Sequence, residues 1–124
     1  MTKSHDIEIV EFSDQYASAF SELNLEWLRE FFCVEPIDSE VLNDPQARII
    51  DSGGVILFAR LGSELIGTVA LKGRGEGVYE LTKMAVTKPN RGAGAGRLLL
   101  SAAIERYSEL EGRYLYLESK VYSL

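Results

Sequence analysis

Histidine and cysteine are almost missing from this chain, with one of each in 124 residues. A catalytic thiol needs a basic partner, and the one histidine, His5, sits beside the N-terminus. Cys33 is therefore read as buried apolar filler, and alone it cannot form an intrachain disulfide. Long apolar runs are absent too. The longest, Val55 to Ala59, falls far short of the ~20 residues that cross a bilayer, so a soluble protein without membrane contact is expected. Basic residues are in deficit, 13 against 19 acidic, for a net charge of −6 and a pI near 4.8. That balance argues against nucleic acid, whose phosphates need clustered Lys and Arg. The opening MTKSHDIEIVEF has no apolar segment followed by a small-residue cleavage site, which makes the cytoplasm the expected compartment. No linker or repeat divides the chain. Residues 1–124 are expected to form one domain that buries roughly two thirds of its unfolded surface.

What the chain does have is a dense stretch from Val78 to Leu100, VYELTKMAVTKPNRGAGAGRLLL. Val78 to Val86 is rich in β-branched and aromatic residues and reads as a strand. Period-two alternation places Val78, Glu80, Thr82, Met84 and Val86 on one face. Pro89 lacks an N–H and ends the ladder. The run from Arg91 through Gly92, Ala93, Gly94, Ala95 and Gly96 then leads into apolar periodicity from Leu98 to Leu110, so a helix starts inside the glycines. A helix start offers unpaired N–H groups and the positive end of a dipole, and small residues let an anion approach that backbone. Glycine-rich turns of this kind also occur where nothing binds.

Charge distribution sharpens the pattern. Thr82 to Arg97 holds Lys83, Lys88, Arg91 and Arg97 and no acid, leaving nine of the thirteen basic residues against nineteen acidic ones elsewhere. An anionic ligand fits at the loop. The acidic remainder suits either solubility or the steering of a cationic acceptor.

The Walker pattern is excluded because no Gly-Lys-Ser/Thr closes the loop, and the dinucleotide G-x-G-x-x-G is absent. What remains is R-x-x-G-x-G, formed by Arg91, Gly94 and Gly96, after a strand ending Met84-Ala85-Val86. Here the chain resembles the GNAT superfamily of N-acetyltransferases, whose acyl-CoA motif is Q/R-x-x-G-x-G/A between the fourth strand and the third helix. The resemblance implies an acetyl-CoA co-substrate and no metal. It implies that backbone groups of Met84, Ala85 and Val86 pair with the pantetheine arm, and that N–H groups of Arg91, Gly92, Ala93, Gly94, Ala95, Gly96 and Arg97 hold the pyrophosphate. Glu80 is the implied general base, placed near an amine acceptor. Read without the resemblance, Glu80 is equally a surface strand carboxylate.

The flanking segments fit an α+β fold, a mixed and mostly antiparallel sheet flanked by helices. Asp6 to Phe12 alternates weakly and reads as an outer strand. Ser13 or Asp14 is the expected cap of a helix whose core stripe is Tyr16, Phe20, Leu23, Trp27 and Phe31. Leu25, Leu28 and Phe32 widen that surface, for packing or for lining an acceptor pocket. Glu22, Glu26 and Glu30 share one face, either solvated or forming a rim that attracts amines. Asp38 is the candidate cap of a second helix, and Asp44-Pro45 of a third. Val55 to Arg60 and Glu64 to Leu71 read as a hairpin, with Gly67 marking a bulge or a close backbone approach. The glycine-rich Lys72 to Gly77 turns the chain into the central strand, and Arg113 to Glu118 supplies the last one.

The family normally continues with a helix and two more strands, including a tyrosine that protonates the leaving thiolate. The sequence ends before them, with Tyr122 as a substitute acid. Three functions follow: an N-acetyltransferase acting by direct attack of a primary amine, a non-catalytic acyl-CoA-binding module, or a truncated domain completed by pairing as a homodimer.

Overall fold

The computed structural model describes residues 6–117. Among them lies a five-stranded sheet in the order β1 (Ile7–Glu11), β2 (Val55–Leu61), β3 (Glu64–Gly75), β4 (Val78–Val86) and β5 (Tyr114–Leu117). The first four strands run antiparallel and β5 lies parallel to β4, as the sequence predicts of a mixed sheet. A parallel neighbour needs a crossover, and α3 (Ala95–Glu109) supplies it.

Helices cover both faces, which is why β2 reads VILFA without alternation. Leu57 and Ala59 point to the α3 side, where Leu99 and Ala103 are fully buried against β3. Ile56 and Phe58 point the other way, toward α1 (Ala17–Phe31), α2 (Pro36–Asn43) and the turn Gln46–Ile50. Each fully buried Leu, Ile or Phe contributes about 1.5–3 kcal/mol, so the two layers fix the sheet between them.

Several local expectations change. α1 is entered through a tight turn at Asp14–Tyr16, and neither Ser13 nor Asp14 caps it with a side chain. Its core stripe is Phe20, Leu23, Asn24 and Leu28, while Phe31 is 47% exposed. Helical spacing allows either stripe; the sheet selects the one beneath it. α2 is capped by Glu35, with Pro36 at the first helical position and Asp38 three residues in, closing a reciprocal capping box. Asp44 does cap the next turn, accepting the Ala47 N–H at 3.2 Å. Cys33 is exposed, just past the end of α1, and fills no core. β3 continues through Gly75, so the turn is shorter than the glycines suggest.

The correction with most bearing on the site is in β4. Two β4 residues, Lys83 and Met84, stand opposite one β3 residue between the Thr68–Ala85 and Ala70–Thr82 pairs, and Lys83 has φ 54°. This bulge reverses the alternation. Tyr79 and Leu81 face α3 before it, and Met84 and Val86 face α3 after it. Glu80 therefore does not share a face with Met84 and Val86. A second bulge leaves Ile66 without a partner on β2, beside Gly67, where an added Cβ would lie 3.0 Å from Leu99 Cδ1. Both readings of Gly67 hold at once.

Candidate active site

Glu80 lies ahead of the bulge and lines a cavity of about 430 Å³ between β4 and the α1–α2 layer. Trp27, Leu28, Phe32 and Ile37 form an apolar wall, while Glu80, Thr82, Lys83 and Met84 come from β4. Asn24, buried in α1 with its amide donating to Phe20 O at 2.9 Å, also borders the cavity.

Glu80 is no surface carboxylate: its side chain is 2% exposed. Arg74 reaches it from the end of β3, with Nε at 3.0 Å and Nη2 at 2.5 Å from one carboxylate oxygen. The Glu80 hydrogen bond, against some desolvation, raises the Arg74 pKa above its ordinary value. The guanidinium is thus charged at any working pH, and Glu80 has a permanent cation beside it. Sequence reasoning missed Arg74. Its only signal is a place two residues before a glycine turn, and a bulge between Gly73 and Gly75 decides where it points.

The cavity's other charge pair is Lys83 with Asp38 at 2.9 Å, with the aspartate 2% exposed. Asp38 also accepts the Glu35 N–H at 3.0 Å, so one carboxylate caps α2 and pins it to the bulge.

β4 pairs with β5 only from Val78 to Leu81, ahead of the bulge. Among the described residues, the β5-side edge of residues 82–86 is unpaired, which is the condition an extended ligand needs to hydrogen-bond a strand. That edge runs to the start of α3. Gly94 at the helix N-cap has φ 94° and no side-chain cap, leaving the first-turn amides for another partner. Gly92 is also left-handed, at φ 85°, and an added Cβ there meets nothing within 4 Å. A Cβ on Gly96 would meet Met84 Cε at 3.4 Å, so the helix start packs directly on the strand. An uncapped helix start, small residues and open space fit a pyrophosphate, and the open edge fits the arm attached to it.

Two expected contributors behave differently. The Arg91 amide donates to Lys88 O at 3.3 Å within the loop's own turn. Its side chain is a strut: Nε donates to Val86 O at 2.9 Å, Nη1 lies 2.9 Å from Glu30, and the guanidinium stacks 4.7 Å from Trp27 and 5.2 Å from Phe31. Of the glutamates on one face of α1, Glu22 and Glu30 are exposed, and Glu26 and Glu30 have partners in the loop. Glu26 accepts from Thr87 Oγ1 at 2.9 Å and Lys88 N at 3.0 Å, so both glutamates hold the loop against α1. Of the four cations in the basic stretch, Lys83 and Arg91 are paired with carboxylates and Lys88 lies 4.0 Å from Glu30. Arg97 is exposed and has no such partner among the described residues. Glu80 and Met84 both border the cavity, but the Met84 side chain packs on the α3 side against Gly96, and the loop residues lie outside the cavity, joined to it through Met84 to Val86. Tyr122 lies outside the described residues.

Among the described residues, β4 thus runs from a buried carboxylate in a cavity to an uncapped helix start. The chain belongs to the GNAT acetyltransferase family, whose model, described as Acetyltransferase (GNAT) family, matches residues 11–123. Solved structures share the fold. A GNAT-family acetyltransferase from Staphylococcus aureus superposes with a TM-score of 0.81 at 24% identity, over 91% of this chain and 72% of that one. A GNAT-family acetyltransferase from Brucella melitensis, in complex with acetyl-CoA, gives 0.79 at 18% identity over 93% and 77%. A predicted acetyltransferase from Clostridium acetobutylicum with acetyl-CoA gives 0.73 at 14% over 91% and 80%. A comparison with curated proteins gives no match. No helix among the described residues is long and apolar enough to cross a membrane.

Proposed function

We infer that residues 1–124 work as one cytoplasmic domain that transfers an acetyl group from acetyl-CoA to a primary amine by direct attack. The observation that carries this reading is the division of β4 by its bulge. One half presents Glu80 to the cavity, and the other, with no strand on its β5 side among the described residues, runs to the uncapped start of α3. On this reading Met84, Ala85 and Val86 hold the pantetheine arm through their backbone. The amides of Gly92, Ala93, Gly94, Ala95, Gly96 and Arg97 hold the pyrophosphate, with Arg91 bracing the loop.

An alkylammonium, with a pKa near ~10, has no lone pair until it loses a proton, and Glu80 is the group placed to take it, directly or through water. Acetyl-CoA supplies the activated acetyl group, so no protein nucleophile and no metal enter the scheme. The Glu80–Arg74 pair supports a second reading, an acyl-CoA-binding module without turnover, because a carboxylate that accepts a proton must give up part of that contact.

We also infer a homodimer. Tyr114 and Leu117 on β5 are 62% and 64% exposed, and among the described residues no strand pairs with the outer edge of β5. Sedimentation at micromolar concentration tests it, and a stable monomer removes it.

The functional test is calorimetric titration with acetyl-CoA, followed by pH–rate profiles of wild type and Glu80→Gln on a panel of amines. The variant is expected to lose most activity near neutral pH and less at high pH, where the amine deprotonates unaided. A profile unchanged in shape and height assigns the base elsewhere. Acetyl-CoA binding without turnover on any amine selects the binding-module reading.

A further inference from the structure

The charges around the cavity bear on which amine it accepts, an inference that rests on the acetyl-transfer reading above. Lys72, Arg74 and Lys83 line it against Glu35, Asp38 and Glu80, so its formal charge sums to zero inside a protein of net charge −6. A polyamine brings positive charge only and finds no net negative field there. Lys83 and Asp38 satisfy each other, and the Glu35 side chain caps α2.

What remains is a carboxylate and a guanidinium in contact, with a lysine beside them. Lys72 is the cross-strand neighbour of Glu80 and has no carboxylate within 4.0 Å among the described residues. Burial within the pair is lopsided: Glu80 is 2% exposed and Arg74 40%. A guanidinium has five N–H donors. Nε and Nη2 both go to one oxygen of Glu80, which leaves donors on a side chain that borders the cavity. The position is built rather than incidental. Arg74 is the extra residue of a bulge, followed by Gly75, Glu76 and Gly77 at φ 93°, 55° and 78°. A bulge of this kind re-aims a side chain.

We propose that the acceptor is a free α-amino acid with an apolar side chain. Arg74 and Lys72 receive its carboxylate, Glu80 receives its amino group, and Trp27, Leu28, Phe32 and Ile37 receive its side chain. In an α-amino acid one carbon separates the two charged groups, a spacing that suits a carboxylate and a guanidinium already in contact. The ammonium gives one proton to Glu80. The freed nitrogen lone pair forms the bond to the acetyl carbon as the carbon–sulfur bond breaks, and a second nitrogen proton balances the departing thiolate as thiol. Glu80 then returns its proton to water. The amide product has no cationic nitrogen, so it loses the attraction to Glu80 that held the substrate.

Acetyl-CoA binding is measured first by calorimetry, then thiol release with L-leucine, L-phenylalanine, their carboxamides, spermidine and a peptide with a free N-terminal alanine. The free amino acids are expected to exceed their carboxamides in kcat/KM by about tenfold or more, the loss of one charge-assisted contact. Arg74→Lys keeps a cation beside buried Glu80 but removes the planar fork, and should narrow the ratio of leucine to leucinamide by about tenfold. Lys72→Gln, which leaves the buried pair intact, should narrow it less and chiefly through KM. Leucine binding to the protein with acetyl-CoA or CoA, followed by NMR, gives a readout independent of turnover. Equal rates on leucine and leucinamide, a preference for spermidine or the peptide, or acetyl-CoA binding with no leucine binding overturns the acceptor proposal and leaves acetyl transfer standing. Failure to bind acetyl-CoA overturns the underlying reading, and the proposal with it.

Discussion

Gly94→Val separates the fold of the phosphate loop from its binding role. Gly94 sits at φ 94° and ψ 1°, a left-handed conformation that costs a residue with a Cβ about 1–3 kcal/mol, with β-branched valine at the upper end. For a chain of 124 residues that loss lowers Tm by roughly 5–10 °C. If the backbone relaxes instead, the amides at the start of α3 rotate away from their common focus. Losing two charge-assisted hydrogen bonds of about 1.5–3 kcal/mol each weakens acetyl-CoA by roughly a hundredfold to ten-thousandfold. The comparator is Gly96→Ala, whose new Cβ makes an ordinary 3.4 Å contact with Met84 Cε inside the first turn of α3. That change should stabilise the fold by about 0.5–1 kcal/mol and leave affinity within a few-fold. Thermal unfolding and calorimetry on both variants decide the matter. A folded Gly94→Val protein with wild-type affinity would falsify the loop assignment, and equal losses in both variants would refute the conformational reasoning.

Other outcomes follow from the packing. Asp38→Ala strips Lys83 of its buried partner and α2 of its capping box, and should cost about 3–5 kcal/mol in chemical denaturation. Asp38→Asn, which keeps an acceptor for the Glu35 amide, should cost less. Leu99→Ala empties a fully buried site between α3 and β3 and should cost about 2–5 kcal/mol. A loss below 1 kcal/mol would mean that the helix settles onto Gly67. The raised pKa of Arg74 means that its contribution to stability is complete below its unfolded value and fades only as pH rises through the folded one. Both lie above the working range, and an introduced lysine titrates only near ~10.4, so the stability difference between wild type and Arg74→Lys should stay flat from about pH 6 to 9. A slope there would assign the titration to another group.

The sheet was legible because its signals are local. Proline-ended, β-branched runs and glycine turns mark β2, β3 and β4, and the glycine motif marks the start of α3. The bulge at Lys83 was not legible, since an extra residue leaves no compositional trace and alternation counts straight through it. The faces of Glu80 and Met84 were therefore merged in the sequence reading. Arg74 was hidden for the same reason, its aim being set by a second bulge. Glu26 and Glu30 looked like surface charge because their partners, Thr87, Lys88 and Arg91, stand about sixty residues away in the chain. Phe31 followed the helical period but faces Arg91 rather than the sheet.

Helix α1 has a double allegiance. Asn24, Trp27 and Leu28 form one wall of the cavity, while Glu26, Glu30, Trp27 and Phe31 grip the loop from Thr87 to Arg91. Trp27 belongs to both sets. One helix of 15 residues contributes to both, so displacing it would alter the cavity wall and the loop's anchors together. Any ligand that shifts the helix at one end changes the work of binding at the other. Thermodynamic reciprocity then requires the factor by which the loop's ligand alters affinity in the cavity to equal the factor returned.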